Sequence, residues 1–217
     1  MVAVDGTGGA FHGTKAHTGE IVLLGSLGSG LLVATSLEAV SGTTGWQLAA
    51  ELVSRFSLLL FVIAMTVESV GRLIPLHTVR ALGGERAGFI FAFALSAATS
   101  LACLGAPYVL RNVALSGPVI AYCGMTAFVL SIMLASGHPA SIPILGRPVW
   151  RAMRRVAAVY FWVAFTLIGL DHVIGPHRPD NWYGSSLLLL VAAVLIRFSD
   201  ALVTRFHRLP PPPAKAL

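Results

Sequence analysis

Six long apolar runs constrain this chain more than any other feature of its sequence. Each has about the twenty residues that an α-helix, rising ~1.5 Å per residue, needs to cross a ~30 Å hydrocarbon layer. Only 11% of the 217 residues are charged. The sequence therefore predicts an all-α, polytopic membrane protein, a single bundle of six transmembrane helices. The runs cover residues 21–40, 52–74, 88–110, 118–136, 156–174 and 185–204.

Basic residues predict the orientation, because short loops rich in Lys and Arg stay on the cytoplasmic side. The connections after the second and fourth runs and the C-terminal tail are rich in arginine, and the three opposite loops are poor in it. Both termini are therefore predicted to be cytoplasmic, with residues 41–50, 106–117 and 175–184 outside. We expect a multi-pass protein of a bacterial inner membrane.

The distribution of charged and apolar residues also limits which partners and domains we expect. The net charge of +6 is divided among separate inner loops, which argues against nucleic acid and leaves the lipid bilayer as the expected partner. We expect a cytoplasmic tail over 1–20, one transmembrane domain over 21–205 and a Pro-rich cytoplasmic tail over 206–217. A flavin or NAD domain would have to come from another chain.

Three charged pairs lie near the ends of the predicted helices. Each has the helical spacing i,i+4 or i,i+3, which places both members on one face, where they neutralise each other. The pairs are Glu51 with Arg55, Glu68 with Arg72, and Arg197 with Asp200.

Glu68 and Glu38 are the deepest carboxylates. A carboxylate within lipid usually faces the bundle interior and is often functional. We expect Glu68 to face other helices, paired with Arg72 or with a polar group of a neighbour, in a functional or a structural role. The same two roles are open for Glu38.

Small residues and cysteines predict packing. Ser26 with Gly30, and Ala94, Ala98 and Ala102 together with Ser96 and Ser100, are spaced four apart, so helix backbones can approach closely along these faces. Cys103 and Cys123 are expected to be free, buried thiols that behave as small apolar residues.

The positions of the seven histidines bear on whether the protein binds a haem or has a structural role, and none of them lies in the middle of an apolar run. A haem held by two imidazoles between helices needs histidines at matching depth. His77 and His138 match in depth at the inner ends of their helices, and His172 lies on the outer side. The alternative is that these are interfacial histidines exposed to water.

Several short stretches occur in a familiar order. They are TGW at 44–46, VRALG at 79–83 leading into FIFAF at 89–93, PVI at 118–120 with Gly124, and Gly146, Trp150, Arg154, Arg155 and Tyr160. In this order they resemble the ferric-reductase-like transmembrane domain family, in particular its YedZ/MsrQ type. The resemblance covers about 21–205 and implies the haem-containing membrane partner of a periplasmic methionine sulfoxide reductase.

The resemblance also implies haem-ligand histidines on the third and fifth helices. Those positions are Thr99, Arg154 and one near Leu167 or Ile168 in this chain. Neither a threonine hydroxyl nor a protonated guanidinium replaces an imidazole. The fold of the family is therefore expected here without the family's haem site.

Two functions follow from this reading. The first is a non-enzymatic accessory or structural subunit of a larger membrane complex, with no cofactor of its own. The alternative is a haem b-binding electron-transfer subunit with relocated ligands, His77, His138 or His172, serving a separate redox partner. A transporter using Glu68 and Glu38 is the weaker third candidate, because the sequence has no internal repeat.

A lost haem leaves a void that the protein interior must fill. We expect Thr99 and the region of Leu167 and Ile168 to face each other across it. Bulky side chains on the third and fifth helices are predicted to close the space, in preference to a bound lipid, quinone or pigment. They are Phe91, Phe93, Phe161, Trp162 and Phe165.

Topology reporters test the predicted orientation. Fusions placed after Arg86 and after Arg155 should both report the cytoplasm, because both points follow arginine-rich connections. A periplasmic signal from either fusion would contradict the topology.

Overall fold

Six long α-helices make up nearly all of the described chain. The computed structural model describes residues 15–74, 82–111, 117–136, 147–174 and 181–207, and within these ranges it has no β-strand. The helices are α1 (Lys15–Ala39), α2 (Thr43–Leu73), α3 (Arg86–Leu110), α4 (Gly117–Ser136), α5 (Arg147–Ile174) and α6 (Asn181–His207).

Five of these helices are long and apolar enough to cross a membrane, namely α1, α2, α3, α5 and α6. The apolar part of α4 among the described residues, Ile120–Ser131, is shorter than a full span. The all-helical, multi-pass architecture is therefore confirmed. The count of six spans and the cytoplasmic position of both termini stay predictions.

Five helices form a ring. Each of α2, α3, α4 and α5 packs against the next helix in the chain, and α6 packs against both α5 and α2, which closes the ring. Helix α1 lies outside it, in the groove between α2 and α3. The short connections make chain neighbours spatial neighbours, as in other helix bundles.

Helix α2 begins nine residues before the apolar run predicts. The expected outer loop over 41–50 is reduced to a tight turn before Thr43, because Gly42 has a φ of +76°, a conformation that glycine adopts without steric cost. Gly45 then lies against the Val40 carbonyl with no room for a Cβ atom. Glu51 is consequently two turns inside the helix and not at its end.

Helix α1 docks through small residues, but not through the predicted face. Gly25 lies against Ala92 of α3, so that a Cβ at Gly25 would be 2.6 Å from the Ala92 Cβ. Ser29 is buried on the same face, whereas Ser26 and Gly30 point outward. The predicted Ser26/Gly30 face is therefore wrong, because the spacing of small residues cannot tell one helix face from the next.

The predicted contact face of α3 is right in part. Ala94 and Ser96 are buried, and the Ser96 and Ser100 hydroxyls bond to α2. Ala98 and Ala102 are exposed, so that part of the prediction is wrong. Ala92, with no exposed surface, lies on the contact face but was not predicted.

Replacing Gly25 with valine should weaken the docking of α1. The added side chain overlaps Ala92, and overpacking of this kind costs about 1–3 kcal/mol of the free energy of unfolding. Gly30→Val is the matched control on the same helix, because no atom lies within 4 Å of a Cβ at Gly30. Unfolding of both variants in mixed detergent micelles measures the difference; equal losses would contradict the observed face.

Candidate functional site

A large cavity opens between the five ring helices near the ends predicted to face outward. It has a volume of about 630 Å³, within the range of small-molecule sites. Its lining extends from Thr43 to Leu58 on α2, about 22 Å along a helix axis. Tyr108 of α3, Arg111 directly after α3, and Trp182 of α6 stand near its rim. We call this space the outer cavity.

A phenylalanine cluster forms the floor of the outer cavity. Phe61 of α2, Phe93 of α3, and Phe161 and Phe165 of α5 are all buried. The Phe93 and Phe161 ring centroids are 4.9 Å apart at 88°, and those of Phe61 and Phe93 are 5.2 Å apart. These tilted and edge-to-face arrangements are the favoured geometries of aromatic pairs. Helices α2, α3 and α5 therefore meet directly at this depth.

The sequence predicted this cluster in part, but the prediction that side chains close the whole space is wrong, because the outer cavity stays open at the depth of Ile168. Phe93, Phe161 and Phe165 lie in the cluster, and Trp162 packs beside it with its ring 6.3 Å from Phe61. Phe91 is only partly buried and lies outside the cluster. Phe61 was missed because it lies on α2, whereas the expectation considered α3 and α5 alone.

The positions expected to line a vacated haem site are not brought together. The Thr99 hydroxyl donates to the Leu95 carbonyl of its own helix, at 2.9 Å. Leu167 points outward with 60% of its surface exposed, and Arg154 is exposed near the start of α5. The expectation that Thr99 faces Leu167 inside the bundle is wrong; Ile168 alone of this set lines the outer cavity.

Hydroxyl groups line the wall of the outer cavity. The Ser57 and Ser96 hydroxyl oxygens are 2.8 Å apart, and Ser100 donates to the Ala50 carbonyl at 2.9 Å. On the opposite side, Thr126 of α4 and Tyr160 of α5 share a hydrogen bond of 2.8 Å. Each bond joins two helices and satisfies a polar group that lipid would leave unpaired.

The rim carries a charged and aromatic group. Glu51 and Arg55 form the predicted ion pair on α2, and the Tyr183 hydroxyl of α6 donates to Glu51 at 3.2 Å. The Arg55 guanidinium lies 5.3 Å from the Tyr183 ring centroid and 5.7 Å from that of Trp182. These are cation–π distances, so the pair on α2 also attaches α6.

His172 lies on the cavity wall at the end of α5. Its ring stacks on Tyr183 with centroids 3.9 Å apart, and its Nδ1 is 2.9 Å from the Ile168 carbonyl oxygen. His77 and His138 lie outside the described residues. Among the described residues that line the outer cavity, His172 is the one histidine, so these residues do not fit a haem held by two imidazoles.

The lining favours an amphiphilic occupant. Its deep end is aromatic and aliphatic, with Phe161, Phe165 and Leu58, and its rim is polar. Arg111 adds a second cation there and donates to the Thr43 hydroxyl at 2.7 Å. With Glu51 offsetting Arg55, the rim retains the positive charge of Arg111.

A second charged cluster lies at the opposite end of α2. Glu68 pairs with Arg72, as the spacing predicts, and also with Arg86 of α3 at 2.7 Å. Arg72 in turn contacts Asp200 of α6 at 3.1 Å. The Ser69 hydroxyl donates to the same Asp200 oxygen at 2.9 Å. Glu68 therefore faces neighbouring helices and ties α2 to α3.

Two predictions about charges differ from the structure. Asp200 turns toward α2 and pairs with Arg72, so the predicted pair of Arg197 with Asp200 on α6 is wrong. Asp200 is 10% exposed in that position, where two donors from α2 satisfy it better than one arginine at the surface. Glu38 is exposed in the last turn of α1, and not inside the bundle.

Some site residues gave little sequence signal. Glu85 precedes α3 in a charged stretch and reads as a loop residue, yet it is 4% exposed and accepts a 2.6 Å hydrogen bond from Thr18 of α1. Tyr183 reads as an interfacial aromatic, and only its position opposite Glu51 shows its role. Cys103 is buried and Cys123 partly buried, and both are free, as expected.

Metal ligation finds no support in the described part of the chain, where no three histidine, cysteine or acidic side chains come together. Comparisons with protein-family models, with curated proteins and with solved structures give no match for this chain. The resemblance to the ferric-reductase-like family therefore rests on the sequence stretches quoted above.

Replacing Glu68 with alanine should destabilise the bundle. Arg86 would lose its carboxylate and Arg72 one of two, at a cost of roughly 1–3 kcal/mol for a partly exposed pair. Glu38→Ala is the matched control, an exposed glutamate in the last turn of another helix. Unfolding in mixed micelles compares the two, and an unaffected Glu68→Ala variant would show that these bonds add nothing to stability.

Proposed function

We propose that this chain is an accessory or structural subunit of a larger membrane complex, with a ferric-reductase-like fold that has lost haem. The observation that carries the proposal is the direct contact of Phe93 on α3 with Phe161 on α5. The family resemblance expects a haem between these two helices. Rings 4.9 Å apart leave no room for a porphyrin at their own depth. About 9 Å further along both helices, at the depth of Thr99 and Ile168, the outer cavity is open, but its described lining carries a single histidine, His172.

The outer cavity gives this subunit a second property. In the proposal it holds an amphiphilic molecule, a lipid, quinone or pigment, whose apolar part rests on the phenylalanine cluster. Support comes from the gradient of its lining, from aromatic at the floor to charged at the rim. Interior space of about 630 Å³ with such a lining favours a bound molecule over permanent vacancy.

Haem b is the second candidate occupant, because His172 lies on the cavity wall. In that case the chain would pass electrons to a separate redox partner, and His172 would be one axial ligand. The described residues supply no second imidazole there, so this candidate ranks below the first.

The absorption spectrum of the purified protein separates the two. The chain is purified in mild detergent, reduced with dithionite and scanned, and its bound small molecules are extracted and identified by mass spectrometry. We expect no Soret or α band, and a stoichiometric lipid, quinone or pigment in the extract. A haem b spectrum that His172→Ala abolishes would overturn the haem-less proposal.

A pair of variants on α5 assigns the extracted molecule to the outer cavity. Ala164 lines the cavity, so Ala164→Phe should fill it and remove the molecule from the extract. Val163 is exposed on the outside of the same helix, so Val163→Phe should retain it. Equal retention by both variants would place the molecule elsewhere on the protein.

A subunit role also predicts a larger native assembly. Solubilised gently from its own membranes, the tagged chain should migrate with other membrane proteins and not alone. Migration at the size of the isolated chain in every mild detergent would contradict the role as a subunit.

A further inference from the structure

A second concave site lies at the other end of the bundle, between α2 and α6. It has a volume of about 470 Å³ and is lined by Arg72, Arg197, Asp200, Ala201, Thr204 and Arg205. The arginine-rich ends of α2 and α6 meet here, on the side that the topology predicts to be cytoplasmic. We call this site the inner cleft.

The carboxylates of the inner cleft are already occupied. Asp200 accepts hydrogen bonds from Ser69 and Arg72, and Glu68 pairs with Arg72 and Arg86. At this end of α2 and α6, three arginines (Arg72, Arg197 and Arg205) stand against two carboxylates (Glu68 and Asp200), which leaves a net charge of +1, and the charges of Glu85 and Arg86 at the start of α3 cancel. Among the described residues, Arg197 and Arg205 take no part in the ion pairs of this cluster.

Arg197 is the more informative of the two. It is exposed on α6, and among the described residues no carboxylate lies within ion-pair distance of it. Its Nη1 donates to the Met65 carbonyl at 3.3 Å and contacts the Met65 sulfur at 3.6 Å. Both contacts are made through one nitrogen, whereas a guanidinium carries five N–H donors. A guanidinium charge with so few partners within a membrane-spanning helix favours the binding of an anion.

An apolar surface continues from the inner cleft toward the middle of the membrane. Val194 and Val191 precede Arg205 on α6 by eleven and fourteen residues, about three and four helical turns, so both lie near the helix face of Arg205. Both are exposed, and Ala201 leaves the cleft open between Arg197 and Arg205. A molecule with a phosphate in the cleft could lay a hydrocarbon chain along this surface.

We propose that the inner cleft binds the phosphate headgroup of an anionic phospholipid. Arg197 and Arg205 contact the phosphate, the Thr204 hydroxyl lies beside it, and an acyl chain follows Val194 and Val191. Basic pockets between transmembrane helices on the cytoplasmic side are suited to such headgroups. The adjoining apolar surface favours a lipid over free phosphate. This inference does not rest on the proposed function, because the outer cavity lies at the opposite end of the bundle.

Lipid titration of the full-length protein tests the proposal. The protein in neutral detergent is titrated with phosphatidylglycerol, with phosphatidylcholine and with inorganic phosphate, and binding is followed by native mass spectrometry and by thermal shift. We expect saturable binding and a raised midpoint with phosphatidylglycerol alone. The affinity should fall with added salt, because the contact is partly exposed.

Charge-removing variants locate the site. Arg197→Gln and Arg205→Gln should each weaken binding by roughly fivefold, the effect of one basic residue at an anionic membrane surface. Arg151→Gln, at an exposed arginine of α5 that lines neither the inner cleft nor the outer cavity, is the control and should bind like the unaltered protein. Ala201→Phe fills the cleft without removing a charge, and serves if an arginine variant fails to fold.

Three results would overturn the proposal. Equal binding of phosphatidylcholine would remove the role of charge. Equal stabilisation by inorganic phosphate would make the cleft a site for a soluble anion. Unchanged phosphatidylglycerol binding in the folded double variant of Arg197 and Arg205, or in Ala201→Phe, would place the lipid elsewhere.

Discussion

On helix α2, each interior carboxylate pairs with an arginine one turn further along the helix. The rest of the bundle depends on which neighbouring helices these two ion pairs contact. At one end, Glu51 accepts a hydrogen bond from Tyr183 of α6. At the other, Arg72 holds Asp200 of the same helix. In a hydrocarbon environment apolar contact does little to hold helices together, so such polar bonds and close packing decide which helices meet. The two bonds attach α6 to α2 near both ends and close the ring.

Closure of the ring explains why one half of its interior is filled and the other is open. At the depth of the phenylalanine cluster, rings from α2, α3 and α5 meet in the middle. Toward the ends predicted to face outward the interior residues are smaller or polar, such as Ala50, Ala97 and Ser100, and they do not reach across. The outer cavity is thus the space that a ring of five helices leaves where its side chains are short. The polar groups of the outer cavity lie on its walls, where hydrogen bonds between neighbouring helices satisfy them.

Hydropathy and charge spacing made the helical membrane class, most helix ends and two intrahelical ion pairs predictable, because each follows from local rules. What depends on tertiary contacts was less predictable. The spacing of small residues correctly predicted that α1 packs through small residues, but it predicted the wrong face. Sequence spacing cannot distinguish Gly25 from Gly30, because only the tertiary structure shows that Ala92 lies opposite Gly25. Asp200 found a better partner across the helix interface than on its own helix. The starts of α2 and α5, each nine residues before its apolar run, were missed because polar residues at a helix start carry no hydropathy signal. The outer cavity has no signature in any single segment.

The order of helices around the ring has a consequence for how the protein is made. The wall between α5 and α2 is supplied by α6, which follows every other ring helix along the chain. Until α6 is inserted, the space above the phenylalanine cluster is a groove open to lipid, and Glu51 and Arg72 lack their partners on that helix. The outer cavity therefore comes into being only when α6 is inserted. Any molecule that comes to rest in it is trapped by that step or enters afterwards through the rim.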